Sequence, residues 1–161
     1  MHSLLRSLPG LKMAACLAAL MLPVMASPLQ AVDTAPIEAA PDLAGVRAKI
    51  KTKAWAAAIL ELRAMLDRGV EQADVYNLMG FSLRKSGDLE RAYTFYRKAL
   101  EYEPNHRGAL EYLGELYVEK GELAKAREHV RLLSRLCPSG CEELDDLQAA
   151  LAQADAGRNT N

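Results

Sequence analysis

A 34-residue self-similarity constrains this chain more than any other feature of its sequence. Residues 73–106 and 107–140 carry the same residue types at matching positions. The identical pairs are Gly80 and Gly114, Gly87 and Gly121, Leu89 and Leu123, Ala92 and Ala126, Arg97 and Arg131, and Pro104 and Pro138. A fixed period of this length is typical of stacked helical hairpins, each of which buries its apolar face only against its neighbours. We therefore expect an array that holds other molecules.

The pattern resembles the tetratricopeptide repeat. The positions that carry the resemblance in the first unit are Tyr76, Met79, Gly80, Leu83, Gly87, Asp88, Ala92, Tyr96, Ala99 and Pro104. In the second unit they are Leu110, Leu113, Gly114, Tyr117, Gly121, Glu122, Ala126, Val130, Leu133 and Pro138. The resemblance implies an all-α fold, a short right-handed solenoid of antiparallel helical hairpins. It also implies close helix contacts at Gly80 and Gly114, where glycine costs about 1 kcal/mol against alanine in a helix.

A divergent repeat is predicted over residues 42–72. Its first helix would span about 42–51 with Asp42 as N-cap, and its second helix would span 54–67 and end at Gly69. This unit departs from the family pattern, because Lys53 replaces the turn glycine and Val46 replaces the small residue within the first helix. Divergence of this kind is typical of the ends of an array.

A C-terminal capping helix is predicted over residues 141–153. Ser139 and Glu142 have the spacing of a capping box, and an apolar stripe of leucines follows them. Residues 154–161 contain little to bury, so we expect a disordered tail there.

Residues 1–26 resemble a secretory signal peptide. Arg6 and Lys12 precede an apolar stretch over residues 13–25, and small residues allow cleavage after Ala26 or, alternatively, after Ala31. A retained N-terminal membrane anchor is the alternative, although the apolar stretch is shorter than the roughly 20 residues of a comfortable span. Residues 27–41 would form a flexible tether to one repeat domain over residues 42–153. The sequence thus predicts a periplasmic or secreted protein that is not inserted in the membrane after cleavage.

The overall charge gives no sign of a nucleic-acid partner. Without Arg6 and Lys12, 18 basic residues stand against 21 acidic residues. A slightly acidic chain has no general attraction to nucleic acid or to an anionic membrane surface.

Cys137 and Cys141 are the cysteines that would remain after cleavage. An oxidising compartment favours a disulfide between them, and Pro138 bends the chain so that the two can approach. Two alternatives stay open, a redox-active pair next to a helix N-terminus and half of a soft-metal site. Three residues separate the cysteines, whereas redox pairs more often have two, and a zinc site would need two further ligands. We therefore expect a structural disulfide, no metal and no cofactor.

The family resemblance places a partner-binding groove on the first helix of each hairpin. The residues that it assigns to this groove are Asn77, Phe81, Arg84, Lys85, Glu111, Glu115 and Glu119. The three glutamates are spaced by four, so they form one acidic stripe, which either attracts a basic partner segment or pairs with Arg84, Lys85 or Arg107 nearby. Phe81 either anchors a partner side chain or packs against the preceding repeat.

We expect an adaptor or scaffold that binds a protein partner outside the cytoplasm, and no enzymatic activity. Neither His106 nor His129 belongs to a pattern typical of a catalytic triad. The alternative function is a thiol redox or metal-handling accessory that acts through Cys137 and Cys141.

Overall fold

The computed structural model describes residues 40–159. The predicted signal peptide, its alternative cleavage site and all but the last two residues of the predicted tether lie outside this part. The chain divides into residues 1–37 and residues 38–161, and only the second unit is described here. Its helices are α1 (Ala44–Lys51), α2 (Trp55–Asp67), α3 (Ala73–Lys85), α4 (Leu89–Tyr102), α5 (Arg107–Glu119), α6 (Leu123–Leu136) and α7 (Glu142–Asn159).

Consecutive helices pair along the chain, from α1 with α2 to α6 with α7. In addition, α5 packs directly against both α3 and α7. The odd-numbered helices α3, α5 and α7 therefore form one continuous layer, as expected of a tetratricopeptide-like solenoid with a terminal capping helix. No helix within residues 40–159 combines the length and the apolar character needed to cross a membrane.

The core runs between the helices because each has one apolar face. Its fully buried side chains include Val46, Leu62, Leu83, Tyr96, Leu116, Leu133 and Leu147. Each helix contributes at least one buried apolar residue, so no hairpin encloses its core alone. This shared burial is the physical basis of a repeat array.

The two glycines within helices mark close approaches between neighbouring helices. A Cβ at Gly80 would lie 2.7 Å from ring carbons of Tyr96 in α4. A Cβ at Gly114 would lie 2.5 Å from the Leu147 side chain in α7 and 3.2 Å from Cβ of His129 in α6. The predicted contacts at Gly80 and Gly114 are present, and at Gly114 the capping helix is the nearest partner.

The turns after α1, α2, α3 and α5 share one hydrogen-bonding pattern. After α3, the N–H of Gly87 donates to the Arg84 carbonyl and the N–H of Asp88 donates to the Leu83 carbonyl, at 2.9 Å each. This is a Schellman motif, which requires a left-handed residue at the glycine position. Gly69, Gly87 and Gly121 all have positive φ, and so does Lys53 at the corresponding place after α1.

The structure shifts the start of α1 relative to the prediction. Asp42 lies before the helix rather than in it, and its Oδ1 accepts a hydrogen bond from the N–H of Ala44 at 3.0 Å. The helix begins at Ala44. The N-cap is therefore Leu43 and not Asp42 as predicted, and Asp42 accepts its hydrogen bond from one residue further out.

Both ends of the capping helix differ from the prediction. The capping box of Ser139 and Glu142 does not form, because Ser139 lies in a turn and α7 begins at Glu142. At the other end α7 continues to Asn159, so the predicted disordered tail is helical over residues 154–159. Two contacts hold this last part: Ala154 packs on the core, and the Asp155 carboxylate accepts hydrogen bonds from Arg127 of α6 at 2.7 and 2.8 Å.

Candidate partner-binding face

The seven predicted groove residues all lie on α3 or α5, in the layer of odd-numbered helices. They do not form one open surface. Lys85 and Glu119 are exposed, Phe81 and Glu115 are partly buried, and Asn77, Arg84 and Glu111 are buried. The face therefore has an ion-paired part, an aromatic part and a pocket.

Arg84 forms the ion-paired part together with two of the three glutamates in the predicted stripe. Its Nη1 donates to Oε1 of Glu119 at 2.6 Å, and its Nη2 lies within hydrogen-bond distance of Oε2 of Glu115. Its Nε donates to the Tyr96 hydroxyl at 3.3 Å. The Arg84 side chain is 3% exposed, and each of its three nitrogens donates to a residue of this chain, so it presents little surface to a partner.

Phe81 lies between aromatic rings of two neighbouring repeats. Its ring centroid is 6.0 Å from that of Trp55 in α2 and 4.8 Å from that of Tyr112 in α5. Lys85 places its Nζ 5.4 Å from the centre of the same ring. Of the two roles considered for Phe81, packing against the preceding repeat is present in the structure.

A polar pocket of about 270 Å³ lies where α3, α5 and α7 meet. Asn77 and Glu111 line its buried side, since they are 5% and 6% exposed. The other lining residues are Arg47, Asp74, Leu78, His106, Gly108, Tyr112, Glu142, Glu143 and Asp146. We call this the acidic pocket, because five of its lining residues are aspartate or glutamate.

Glu111 is separated from the stripe to which the sequence assigned it. While Glu115 and Glu119 bind Arg84, the Glu111 carboxyl has no hydrogen bond or ion pair with another residue of the described part. Burial raises the pKa of Glu111 to about 8, and the nearby carboxylates of Glu115, Asp146 and Glu143 add to this shift. The more distant charge of Arg84 opposes it only in part.

Sequence reasoning missed the contribution of α7 to this pocket. Glu142 and Glu143 lie in the first turn of α7, where acids stabilise the N-terminus of a helix, and Asp146 follows in the next turn. The 34-residue register could have revealed them, because Asp74, Gly108 and Glu142 are equivalent positions, and so are Leu78, Tyr112 and Asp146. The capping helix thus occupies the place of a first helix of a further repeat.

Cys137 and Cys141 form a disulfide in the structure, with their α-carbons 5.9 Å apart. The bond joins the residue that follows α6 to the residue that precedes α7. Cys137 is buried and Cys141 is partly buried. Within residues 40–159, no cluster of three or more histidine, cysteine, aspartate or glutamate side chains is arranged to hold a metal ion.

Comparison with known proteins gives relatives that contain similar repeats. The chain is 36% identical over 121 residues to a protein of Pseudomonas putida named as the probable biofilm formation methyltransferase WspC, a match that covers 75% of this chain and 28% of that protein. It is 37% identical over 62 residues to the uncharacterized protein ycf37 of Pyropia yezoensis, a match that covers 38% of this chain and 35% of that protein. It is 29% identical over 127 residues to the cellulose synthase 2 operon protein C of Komagataeibacter xylinus, a match that covers 79% of this chain and 10% of that protein.

The chain spans about a third or less of the length of these relatives. Their named activities therefore belong to proteins that are much longer than the matched part. The sequence model of the tetratricopeptide repeat family matches residues 83–154, from the end of α3 into α7. With that match and the paired helices that carry it, residues 83–154 are similar to tetratricopeptide repeats.

Proposed function

We propose that this protein is an extracytoplasmic adaptor or scaffold that binds a segment of a partner protein along the layer formed by α3, α5 and α7. Tetratricopeptide repeats indicate a protein–protein interaction scaffold and are generally not catalytic. The observation that supports the choice of face is the packing of α5 directly on α3 and α7, which places the acidic pocket and the exposed Lys85 on one layer.

The proposed compartment is the periplasm or the extracellular space. The sequence pattern of residues 1–26 supports it, because a short apolar stretch follows Arg6 and Lys12. The disulfide between Cys137 and Cys141 also supports it, since disulfides are rare in the cytosol of most organisms.

We infer that this disulfide braces the capping helix. It joins the last repeat to the start of α7, and buried Cys137 is poorly exposed to a thiol on another protein. A redox or metal-handling role would require thiols that become free in the native compartment. Alkylation of the protein without prior reduction, followed by mass spectrometry, distinguishes the roles: a bracing bond gives no alkylated cysteine, whereas an active pair gives two.

Crosslinked affinity capture tests the binding face. The natural protein is compared with a variant in which two exposed residues of the layer exchange charge, Lys85→Glu with Glu142→Lys. The matched control exchanges charge on α6, at Arg131→Glu and Glu128→Lys. Both double variants keep the net charge, and circular dichroism checks that they fold.

We expect the natural protein and the α6 control to capture the same partner and the layer variant to lose it. Equal capture by all three would move the binding surface to another face. The absence of any partner would contradict the adaptor function itself.

Mass spectrometry of the N-terminus tests the compartment separately. The protein purified from the periplasm or the medium should begin at residue 27 or at residue 32. An intact N-terminus in the membrane fraction would instead support the anchor alternative.

A further inference from the structure

We propose that the acidic pocket is an anchor site for an arginine side chain of the partner protein. The inference deepens the proposed function and rests on it, because the arginine belongs to the segment that lies along α3, α5 and α7. It commits to one chemistry, a planar cation on a long side chain.

The buried side of the pocket contains two polar groups without partners. Oδ1 of Asn77 is inaccessible to solvent and accepts no hydrogen bond from the described residues. The Glu111 carboxyl, on the neighbouring repeat at the equivalent position, is likewise without a donor. Buried polar groups are nearly always hydrogen-bonded in folded proteins, and leaving one unpaired destabilises the fold. Of the two residues, Glu111 offers the pocket an acceptor when it is ionised, so the partner that its carboxylate lacks is a donor.

The rim of the pocket adds negative charge that the protein itself does not neutralise. Glu142 and Asp146 of α7 are exposed and have no ion pair in the described part of the chain. Glu143 is 3.5 Å from Arg107, and Asp74 is 3.1 Å from His106 and 3.9 Å from Arg47. The N-termini of α5 and α7 offset part of this charge, and acids in the first turn of α7 serve that purpose. That ordinary role does not account for Asn77 and Glu111, which lie deeper in the layer.

The shape and lining favour a guanidinium over a simple ion. The volume of about 270 Å³ is several times the roughly 30 Å³ that one water occupies in the liquid, so the pocket admits a side chain. Leu78 and Tyr112 supply apolar surface beside the carboxylates. Arginine presents five N–H donors in a plane, which suits a pair of carboxylates, and its plane stacks on aromatic rings.

Arginine binding in this pocket should be coupled to a proton. Since the pKa of Glu111 is raised to about 8, its carboxyl is largely neutral at pH 7 and must ionise to pair with a cation. The charged and titratable groups that face it are Arg47 from α1, Asp74 and Arg84 from α3, His106 and Glu115 from the start and middle of α5, and Glu142, Glu143 and Asp146 from α7. Affinity should therefore rise with pH between 6.5 and 8.5, by up to about tenfold per unit below the pKa of Glu111.

The test titrates the purified protein with Nα-acetyl-arginine amide while ¹H–¹⁵N NMR spectra are recorded. The neutral citrulline analogue, the lysine analogue and MgCl₂ are titrated in parallel. Glu111→Gln with Asp146→Asn removes two ionisable carboxyl groups from the pocket. Asp67→Asn with Glu128→Gln removes two exposed charges elsewhere and is the matched control. Glu142→Gln with Asp146→Asn changes only exposed rim residues, so it reports on the pocket even if the first variant unfolds.

We expect saturable shifts at the Asn77 side-chain amide and the Gly108 N–H with the arginine probe and none with citrulline. Each pocket variant should weaken binding by about tenfold, and the control should bind within about twofold of the natural protein. In Glu111→Gln the pH dependence of the affinity should disappear. Equal binding of lysine or of Mg²⁺ would overturn the assignment to arginine. Unsaturable shifts, or shifts that persist in both pocket variants, would overturn the site.

The probe experiment and partner capture fail independently. Arginine binding without any captured partner would contradict the adaptor function and leave the pocket in place. A captured partner without arginine binding would contradict the pocket alone.

Discussion

Lys53 and Gly87 hold the same left-handed backbone conformation one repeat apart, with φ of 58° and 92°. In both turns this residue and the next one donate their backbone N–H groups to carbonyls of the last turn of the preceding helix. At Lys53 the N–H groups of Lys53 and Ala54 donate to the carbonyls of Ile50 and Lys49, at 2.9 Å each, as those of Gly87 and Asp88 do after α3. Helix closure therefore demands this conformation regardless of the residue type. Lysine adopts it at a steric cost of about 1–2 kcal/mol, which glycine avoids.

Lys53→Gly should stabilise the protein. Relief of the left-handed strain exceeds the extra unfolded-state entropy of glycine, so we expect the free energy of unfolding to rise by about 0.5–1 kcal/mol. Thermal denaturation followed by circular dichroism measures the change. Lys53→Ala is the control, because alanine removes the lysine side chain but keeps the Cβ. An equal gain in Lys53→Ala would show that the side chain, and not the backbone, is responsible.

Gly80→Ala should destabilise the protein although alanine favours helix. Its Cβ would lie 2.7 Å from the buried Tyr96 ring, which must shift, and overpacking of this kind costs about 1–3 kcal/mol. Gly157→Ala in α7 is the matched control, because no heavy atom lies within 4 Å of a Cβ there. We expect a lower melting temperature for the first variant and an equal or higher one for the second. A rise in both would mean that α3 and α4 separate without cost.

Arg84→Met should lower the free energy of unfolding by about 2 kcal/mol. The substitution keeps most of the buried volume but leaves Glu115 and the Tyr96 hydroxyl without their donor. Glu115 and Glu119 are 22% and 42% exposed, so solvent limits the loss. In double-mutant cycles by urea denaturation, we expect stronger coupling of Arg84 with Glu115 than with the more exposed Glu119. Equal coupling near zero would show that the ion pairs do not stabilise the fold.

Glu111→Gln should change how stability depends on pH. The Glu111 carboxyl has a pKa of about 8 in the folded chain and an ordinary value of about 4.3 when unfolded. Its contribution to stability is thus fully present below the lower pKa and is lost as the pH rises to the higher one. The difference in the free energy of unfolding between the variant and the natural protein should therefore be about 2 kcal/mol more favourable to the variant at pH 8.5 than at pH 5.5. This value lies within the limit of 1.36 kcal/mol for each unit of pKa shift.

Urea denaturation at the two pH values measures this difference. Glu128→Gln, at an exposed position of α6, is the control and should show none. A pH-independent effect of Glu111→Gln would mean that the carboxyl is ionised in the folded protein throughout this range.

The aromatic residues show how far local patterns reach. The family resemblance assigns Phe81 to the first helix of its hairpin, and Phe81 lies on α3. The pattern could not choose between a free anchor and a packed ring, since that depends on Trp55 and Tyr112, which lie 26 residues before it and 31 residues after it. Only the stacking of three repeats brings these rings together.

The sequence by itself determined the helical hairpins through its periodicity, and the glycine contacts and the turn at Lys53 through the family resemblance, because these depend on residues within one repeat or one period apart. The end of α7 and the division of the glutamate stripe were decided by tertiary structure. Arg127 of α6 holds Asp155 in the helix, and Arg84 of α3 takes Glu115 and Glu119 but does not reach Glu111. Charged side chains pair across helices according to distance and burial, and no spacing along a single helix specifies those.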